Sequence, residues 1–170
     1  SWDGIVQNKI PPFYTQVCGL LTGERNASLG ALEDYDFEAW QPDAVIINLG
    51  TNDATAIQSA AELGQEWAGT RDIEEVKEIL TTAICDFLKV VRTCNPTAQI
   101  IWGYGMLGDS FLPVIREAVE SYATETTDSR IHFLQLPDTT PDTVGSRLHP
   151  GVKAHRNVAQ ILEEYLKKII

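Results

Sequence analysis

A nearly continuous apolar run ends abruptly in a polar tetrapeptide, where Val45–Leu49 gives way to Gly50-Thr51-Asn52-Asp53. A strand that is buried on both faces has such a sequence, and strands of this kind are typical of parallel sheets. In open α/β sheets, catalytic and ligand-binding residues lie just beyond the carboxyl ends of the strands. Gly50 permits a tight turn, and the Asn52 amide is a neutral hydrogen-bond donor suited to an oxyanion. The alternative is that Asn52 and Asp53 only cap the loop.

Strand-like and helix-like segments alternate along the chain from residue 44 onwards. Three apolar runs predict strands at Ala44–Leu49, Gln99–Tyr104 and Ile131–Leu136. Apolar residues recur every three or four positions from about Asp72 to Thr93 and again after Pro150, which predicts helices that cover the sheet. Strands that alternate with helices favour parallel pairing and right-handed crossovers, so an α/β fold is expected.

The first 40 residues are less regular. Pro11 and Pro12 interrupt regular structure, and a short helix is predicted over Phe13–Leu21. A helical insertion is predicted over Thr55–Ala68, directly after the Gly50–Asp53 loop, where it would form one wall of a pocket.

Composition and charge narrow the possible partners. The chain has 170 residues, the usual size of one domain, with 24 acidic residues against 13 Lys and Arg and a net charge of −11. Nucleic-acid binding depends on clustered Lys and Arg, so a nucleic-acid partner is not expected. Because the sequence has no apolar run of about 20 residues, we expect a soluble protein without a membrane partner. The compartment is left open, and secretion is one option.

The three cysteines show no spacing typical of a metal site. Cys85 lies on the apolar face of a predicted helix, which favours a buried thiol over a metal ligand or a nucleophile. A disulfide between Cys18 and Cys94 is left open by the sequence.

A histidine provides a second polar position at the same edge of the predicted sheet. His149 follows the third strand and a polar loop, and Pro150 prepares the entrance to the last helix. A single histidine before a helix more often has a structural role. Its pairing with Asn52 at the carboxyl edge of one sheet favours a catalytic role instead.

The two polar segments resemble sequence blocks of the SGNH (GDSL-type) hydrolases. Gly50-Thr51-Asn52-Asp53 is similar to the GxND block, and His149-Pro150 is similar to the C-terminal histidine block. Within that family, Ile100–Met106 and His149-Pro150 followed by His155 resemble the acetyl esterases of carbohydrate esterase family 2.

The resemblance implies a three-layer α/β/α sandwich with a parallel, flavodoxin-like sheet. Residues 1–170 would form a single SGNH-hydrolase-like catalytic domain, or the C-terminal portion of one. The implied activity is that of a serine esterase that hydrolyses small acyl esters, such as acetyl esters, on carbohydrate. The resemblance implies no cofactor and no metal ion.

The resemblance also implies roles for individual residues. His149 would act as general base and acid, and Asn52 would stabilise the oxyanion. Gly4 is weakly similar to the glycine of a second block and would add a backbone donor.

The family usually has an aspartate three residues before its histidine, and Ser146 stands there in this chain. Two ways of orienting His149 are left open. A backbone carbonyl could accept its hydrogen bond, as in a dyad, or Asp138 or Asp142 could reach it through the loop.

The nucleophile block is expected before the GxND block, on the first strand of the family's sheet. Gly108-Asp109-Ser110 has the expected residues but follows the second predicted strand. We interpret Asp109 or Ser110 as the N-cap of the next helix, with Ser110 as the nucleophile of a permuted active site as the alternative. We therefore expect that the first strand is absent from this chain. A second polypeptide piece or a swapped partner would then complete the sheet, or the strand belongs to a part of the protein outside this sequence.

Two functions of other classes compete with the esterase. One is a non-catalytic SGNH-like module that binds glycan. The other is a nucleotide-binding flavodoxin-like module, which is disfavoured because no glycine-rich phosphate loop follows a strand. Trp40, Trp67 and Trp102 could stack on sugar rings, although packing in the core or at its rim is the more common role of tryptophan.

Overall fold

The structure is a computed structural model that describes residues 10–18, 23–55 and 73–170. It is a three-layer α/β/α sandwich built on a parallel sheet, as the sequence predicts. The strands are β1 (Ala44–Ile47), β2 (Gln99–Tyr104) and β3 (Ile131–Gln135). The helices are α1 (Glu24–Ser28), α2 (Ile73–Cys94), α3 (Leu112–Glu125) and α4 (Val152–Ile169). A short 3₁₀ turn lies at Pro11–Phe13, and a tight turn lies at Ser146–Leu148.

The described sheet has the strand order β1-β2-β3, and both pairs are parallel. The register aligns Ala44 with Gln99 and Ile100 with Ile131. All three strands therefore end at one edge of the sheet, here called the carboxyl edge. The loops that follow β1, β2 and β3 all begin there.

The two faces of the sheet are covered by different helices. On one face, α2 and α3 pack against the strands through a cluster that includes Ile84, Phe87, Ile100, Trp102 and Ile115. On the other face, α4 packs through a smaller cluster of Met106, Leu136, Ala154 and Val158. Among the described helices, none is both long enough and apolar enough to cross a membrane.

The front of the chain differs from the prediction. Pro11–Phe13 forms a 3₁₀ turn because proline is compatible with the first turn of a helix, so Pro11 and Pro12 do not interrupt regular structure. The predicted helix over Phe13–Leu21 is wrong for its described part, where Gln16 forms an isolated antiparallel bridge with Asp34. Of the predicted loop and insertion, residues 50–55 are described, and residues 51–55 are helical.

The N-cap predicted for α3 is also wrong. Phe111 occupies the N-cap position, and no side chain caps this end of the helix. The backbone carbonyl of Asp109 instead accepts a hydrogen bond from the Leu112 N–H at 2.8 Å. Pro113 lies in the first turn as predicted.

All three cysteines are free thiols. Burial raises the pKa of Cys85 and of Cys94, and for Cys85 the nearby Glu125 and Asp86 carboxylates add to the effect. Neither thiol is therefore set up as a nucleophile.

Candidate active site

Gly50 makes the turn that carries the chain from β1 to Asn52. Its φ of 119° lies in a region that side-chain-bearing residues rarely adopt. A Cβ at this position would lie 2.7 Å from Ile115 Cδ1 and 3.1 Å from Tyr104 Cε2, so the backbone passes close to the core. The turn is also fixed from β2, because Trp102 Nε1 donates to the Leu49 carbonyl at 3.2 Å.

Asn52 and Asp53 lie in different environments. Asp53 is only 4% exposed, and its carboxylate lies close enough to Tyr104 to help raise the pKa of that phenol, after burial as the main cause. The side chain of Asn52 is exposed and makes no hydrogen bond with the described part of the protein. Asp53 therefore belongs to the scaffold, and the Asn52 amide is available to a ligand.

A clasp between two short segments holds the loop that carries His149. Gly145 N–H donates to the His149 carbonyl at 2.7 Å, and Gly151 N–H donates to the Thr143 carbonyl at 2.8 Å. A Cβ on Gly151 would lie 2.8 Å from the Thr143 oxygen, and one on Gly145 would lie 2.9 Å from Gly151 Cα. Both glycines have negative φ, so close backbone approach is the reason that they are glycines.

The imidazole of His149 is held by a backbone carbonyl. Nδ1 lies 2.9 Å from the Arg147 oxygen. Because a carbonyl oxygen can only accept, Nδ1 of the neutral ring carries the proton and Nε2 carries the lone pair. Nε2 is thus the nitrogen able to take a proton from a nucleophile.

The acidic alternatives do not contact His149. Asp138 Oδ1 accepts hydrogen bonds from Gly108 N–H at 3.0 Å and from Thr139 N–H at 2.8 Å, so it joins the loops after β2 and β3. Asp142 is exposed and makes no hydrogen bond with His149. Of the two arrangements that the sequence left open, the observed contact is the backbone carbonyl.

Asn52 and His149 lie at the same edge of the sheet. Asn52 follows β1, and His149 lies between β3 and α4. Strand β2 separates β1 from β3, and neighbouring strands are about 4.8 Å apart. No hydrogen bond joins these two described side chains.

An open groove adjoins the histidine loop. Its volume is about 460 Å³, and it lies between the loop after β2 and the loop after β3. Leu107, Thr139, Thr140, Val144 and Leu148 are among the residues that line it. The groove reaches the histidine loop at Leu148, and His149 is not among the residues that line it.

The other predicted site residues are not assembled around His149. Ser110 is exposed in the turn before α3, and its hydroxyl makes no hydrogen bond with the imidazole. Gly4 and Trp67 lie outside the described residues. Trp102 is a core residue, and Trp40, which is 64% exposed, lies before β1 at the opposite edge of the sheet.

Sequence reasoning missed the clasp and the identity of the carbonyl acceptor. The glycines that flank the histidine, at positions 145 and 151, were a signal for close backbone approach. Arg147 offered no comparable signal, because a left-handed backbone at arginine is uncommon.

The sequence matches the model of the GDSL-like Lipase/Acylhydrolase family over residues 7–162. The fold is similar to that of Est2A, an acetyl xylan esterase from the rumen bacterium Butyrivibrio proteoclasticus. The TM-score is 0.85 with 44% identity, covering 99% of this chain and 47% of that one. A family two carbohydrate esterase from Clostridium thermocellum, in complex with cellohexaose, has a TM-score of 0.62 and 24% identity, covering 91% and 46% of the two chains.

A curated relative is the cellulase/esterase CelE of Acetivibrio thermocellus. It is 27% identical over 141 residues, which cover 78% of this chain and 15% of that protein. The chain therefore spans less than half the length of the relatives named here.

Proposed function

Because the chain belongs to the GDSL-like lipase/acylhydrolase family, we propose that the protein is a serine esterase that removes small acyl groups, such as acetyl, from carbohydrate. The observation that carries this proposal is the 2.9 Å contact between His149 Nδ1 and the Arg147 carbonyl, which leaves Nε2 as a base. The acyl group and the class of substrate rest on the similarity to an acetyl xylan esterase.

The chemistry divides into two displacements at the ester carbonyl carbon. His149 Nε2 takes the proton of a serine hydroxyl as its oxygen attacks, and the Asn52 amide donates to the resulting oxyanion. The imidazolium then gives its proton to the sugar oxygen as the bond from that oxygen to the acyl carbon breaks, so the sugar leaves with a free hydroxyl. Water attacks the acyl-serine in the same way and releases the carboxylic acid. A backbone N–H of Gly4 would be a further oxyanion donor.

The nucleophile is the part of the proposal that lies outside the described site. We propose that a serine on another polypeptide segment, either a second piece or a swapped partner, attacks from beside β1. The 2.9 Å bond from Gln99 N–H to the Asp43 carbonyl fixes which backbone groups of β1 face β2. Alternate residues face opposite ways, so the N–H and C=O groups of Ala44 and Ile46 lie on the outer edge of β1.

Two features support strand addition at this outer edge. Ile46 is 45% exposed, which is unusual for isoleucine in the middle of a strand. A groove lined by Tyr14, Phe37, Trp40 and Val45 lies at the start of β1. A parallel strand added there would end at the carboxyl edge, next to the Gly50–Asp53 loop.

The experiment measures p-nitrophenyl acetate turnover by the intact protein and by two histidine variants. His149→Ala is expected to lower kcat/KM by at least about a thousandfold, because it removes the base. His155→Ala is the matched control, since His155 is exposed on α4, and it should leave turnover unchanged. Equal activity of both variants would contradict the proposal.

Two further variants test the oxyanion donor and the source of the serine. Asn52→Ala is expected to cost about a hundredfold in kcat. Ser110→Ala is expected to retain activity, since the nucleophile is placed on another segment. Loss of activity in Ser110→Ala would instead support the permuted active site.

A non-catalytic glycan-binding module is the second candidate. It is favoured by one observation: among the described residues, no serine hydroxyl hydrogen bonds with His149. This candidate predicts no turnover in any form of the protein. It also predicts binding of soluble oligosaccharide that is weakened by substitutions in the groove beside Leu148.

A further inference from the structure

Two residues directly before His149 have an unusual backbone conformation. Arg147 has φ 52° and ψ 38°, and Leu148 has φ 62°, so both are left-handed. Residues other than glycine, asparagine and aspartate seldom adopt this conformation. Two consecutive residues of this kind therefore need a specific cause.

Side-chain packing does not provide that cause. Leu148 is 80% exposed, and Arg147 is also exposed. The segment is instead a tight turn in which His149 N–H donates to the Ser146 carbonyl at 3.1 Å, and a turn of this hand requires positive φ at both central residues. The clasp holds the ends of this turn through the bonds of Gly145 to His149 and of Gly151 to Thr143. The backbone conformation is thus imposed by the loop.

The left-handed pair lets Arg147 contact the imidazole. The carbonyl acceptor and the histidine are only two residues apart, so the chain must turn tightly between them for the oxygen to reach Nδ1 at 2.9 Å. His149 itself is extended, with φ −80° and ψ 161°, as expected before a proline. The turn therefore falls on Arg147 and Leu148.

We propose that Arg147 and Leu148 are positioning residues, whose left-handed backbone aims the Arg147 carbonyl at Nδ1 and so keeps Nε2 of His149 unprotonated. The inference rests on the proposed function for its effect on turnover. Its structural content, a fixed tautomer of His149, does not depend on that function. Neither side chain takes part in this role.

Substitutions at the exposed Leu148 distinguish an effect of backbone conformation from an effect of the side chain. Asparagine tolerates the left-handed conformation but is polar, whereas valine is apolar but resists it because it branches at Cβ. If the backbone matters, Leu148→Asn keeps kcat within about threefold, and Leu148→Val lowers kcat by about ten- to a hundredfold. If the side chain contacts substrate, the order reverses and the change appears mainly in KM. Arg147→Asn and Arg147→Val form a second matched pair.

The decisive measurement is the tautomer of His149, read from ¹⁵N NMR of the intact protein at a pH where the ring is neutral. Wild type and both asparagine variants are expected to carry the proton on Nδ1, and the valine variants are expected to shift it toward Nε2. A thermal melt confirms that each variant is folded, and Leu148→Ala gives a milder test if the valine variant is not. An unchanged tautomer in folded Leu148→Val, or in folded Leu148→Ala where that test is needed, would overturn the inference. Absence of turnover in wild type with the predicted tautomers would overturn only the proposed function.

Discussion

Gly50 is the residue on which the shape of the Asn52 loop depends. Its positive φ allows the chain to leave β1 sharply, and its missing side chain lets the backbone approach Ile115 and Tyr104. These are two separate requirements, one on conformation and one on space. The structure offers a way to measure them separately, because Gly23 has a similar φ of 112°, yet a Cβ added there would have nothing within 4 Å.

Gly50→Ala is expected to destabilise the protein more than Gly23→Ala does. Both substitutions place a Cβ on a backbone with positive φ, but only the one at Gly50 forces contact with Ile115 Cδ1 at 2.7 Å. Overpacking of this kind costs about 1–3 kcal/mol in the free energy of unfolding beyond the conformational cost. Urea denaturation of both variants checks this. Equal losses would show that the core relaxes around the added methyl.

At the scale of elements, Arg92 joins the end of α2 to the starts of β2 and β3. Its guanidinium donates to the carbonyls of Asn95, Ala98 and Arg130, and its Nε lies 2.6 Å from Asp128 Oδ2. Both charged side chains are mostly buried. Arg92 thus donates hydrogen bonds to several backbone carbonyls that lie outside the helices and strands.

Arg92→Ala is expected to lower the free energy of unfolding by about 2–4 kcal/mol, because it removes the mostly buried ion pair with Asp128 and the side-chain hydrogen bonds to three carbonyls. Lys167→Ala is the matched control, since it removes an exposed ion pair with Glu163 on α4. Exposed pairs of this kind contribute little, so a much smaller change is expected. Similar urea midpoints for the two variants would contradict this account.

The elements themselves follow closely from the sequence. The apolar runs predicted all three strands, and only the ends differ: β1 stops at Ile47 rather than Leu49, and β3 stops at Gln135 rather than Leu136. The pairing stops early at β1 because the Asn48 side chain donates to the Gly103 carbonyl and the chain has begun to turn. On α4, Val152 fits the apolar period that begins after Pro150 but is exposed, because a helical period alone does not show where the sheet ends.

The site was less accessible to sequence reasoning than the fold. The edge that carries Asn52 and His149 follows from strand direction, so both positions could be predicted. The contact between Arg147 and His149 could not, because it depends on a left-handed backbone that neither Arg147 nor Leu148 prefers. The closed loop imposes this conformation, so the amino-acid types at positions 147 and 148 do not indicate it.

At the scale of the whole molecule, the proposed source of the serine is a segment that pairs with the outer edge of β1. If another segment adds a parallel strand there, the amides of Ala44 and Ile46 become hydrogen bonded. Amide hydrogen exchange in the intact protein should then be as slow at Ala44 and Ile46 as at Val45 and Ile47, which face β2.

The four neighbouring amides provide their own control, because they share one strand and one local stability. Alternation along β1, with Ala44 and Ile46 exchanging much faster than Val45 and Ile47, would mean that this edge stays open in the intact protein. The serine would then have to come from elsewhere, and Ser110 would become the residue to test first. Uniform protection together with activity that survives Ser110→Ala would instead favour a nucleophile that arrives with the added strand.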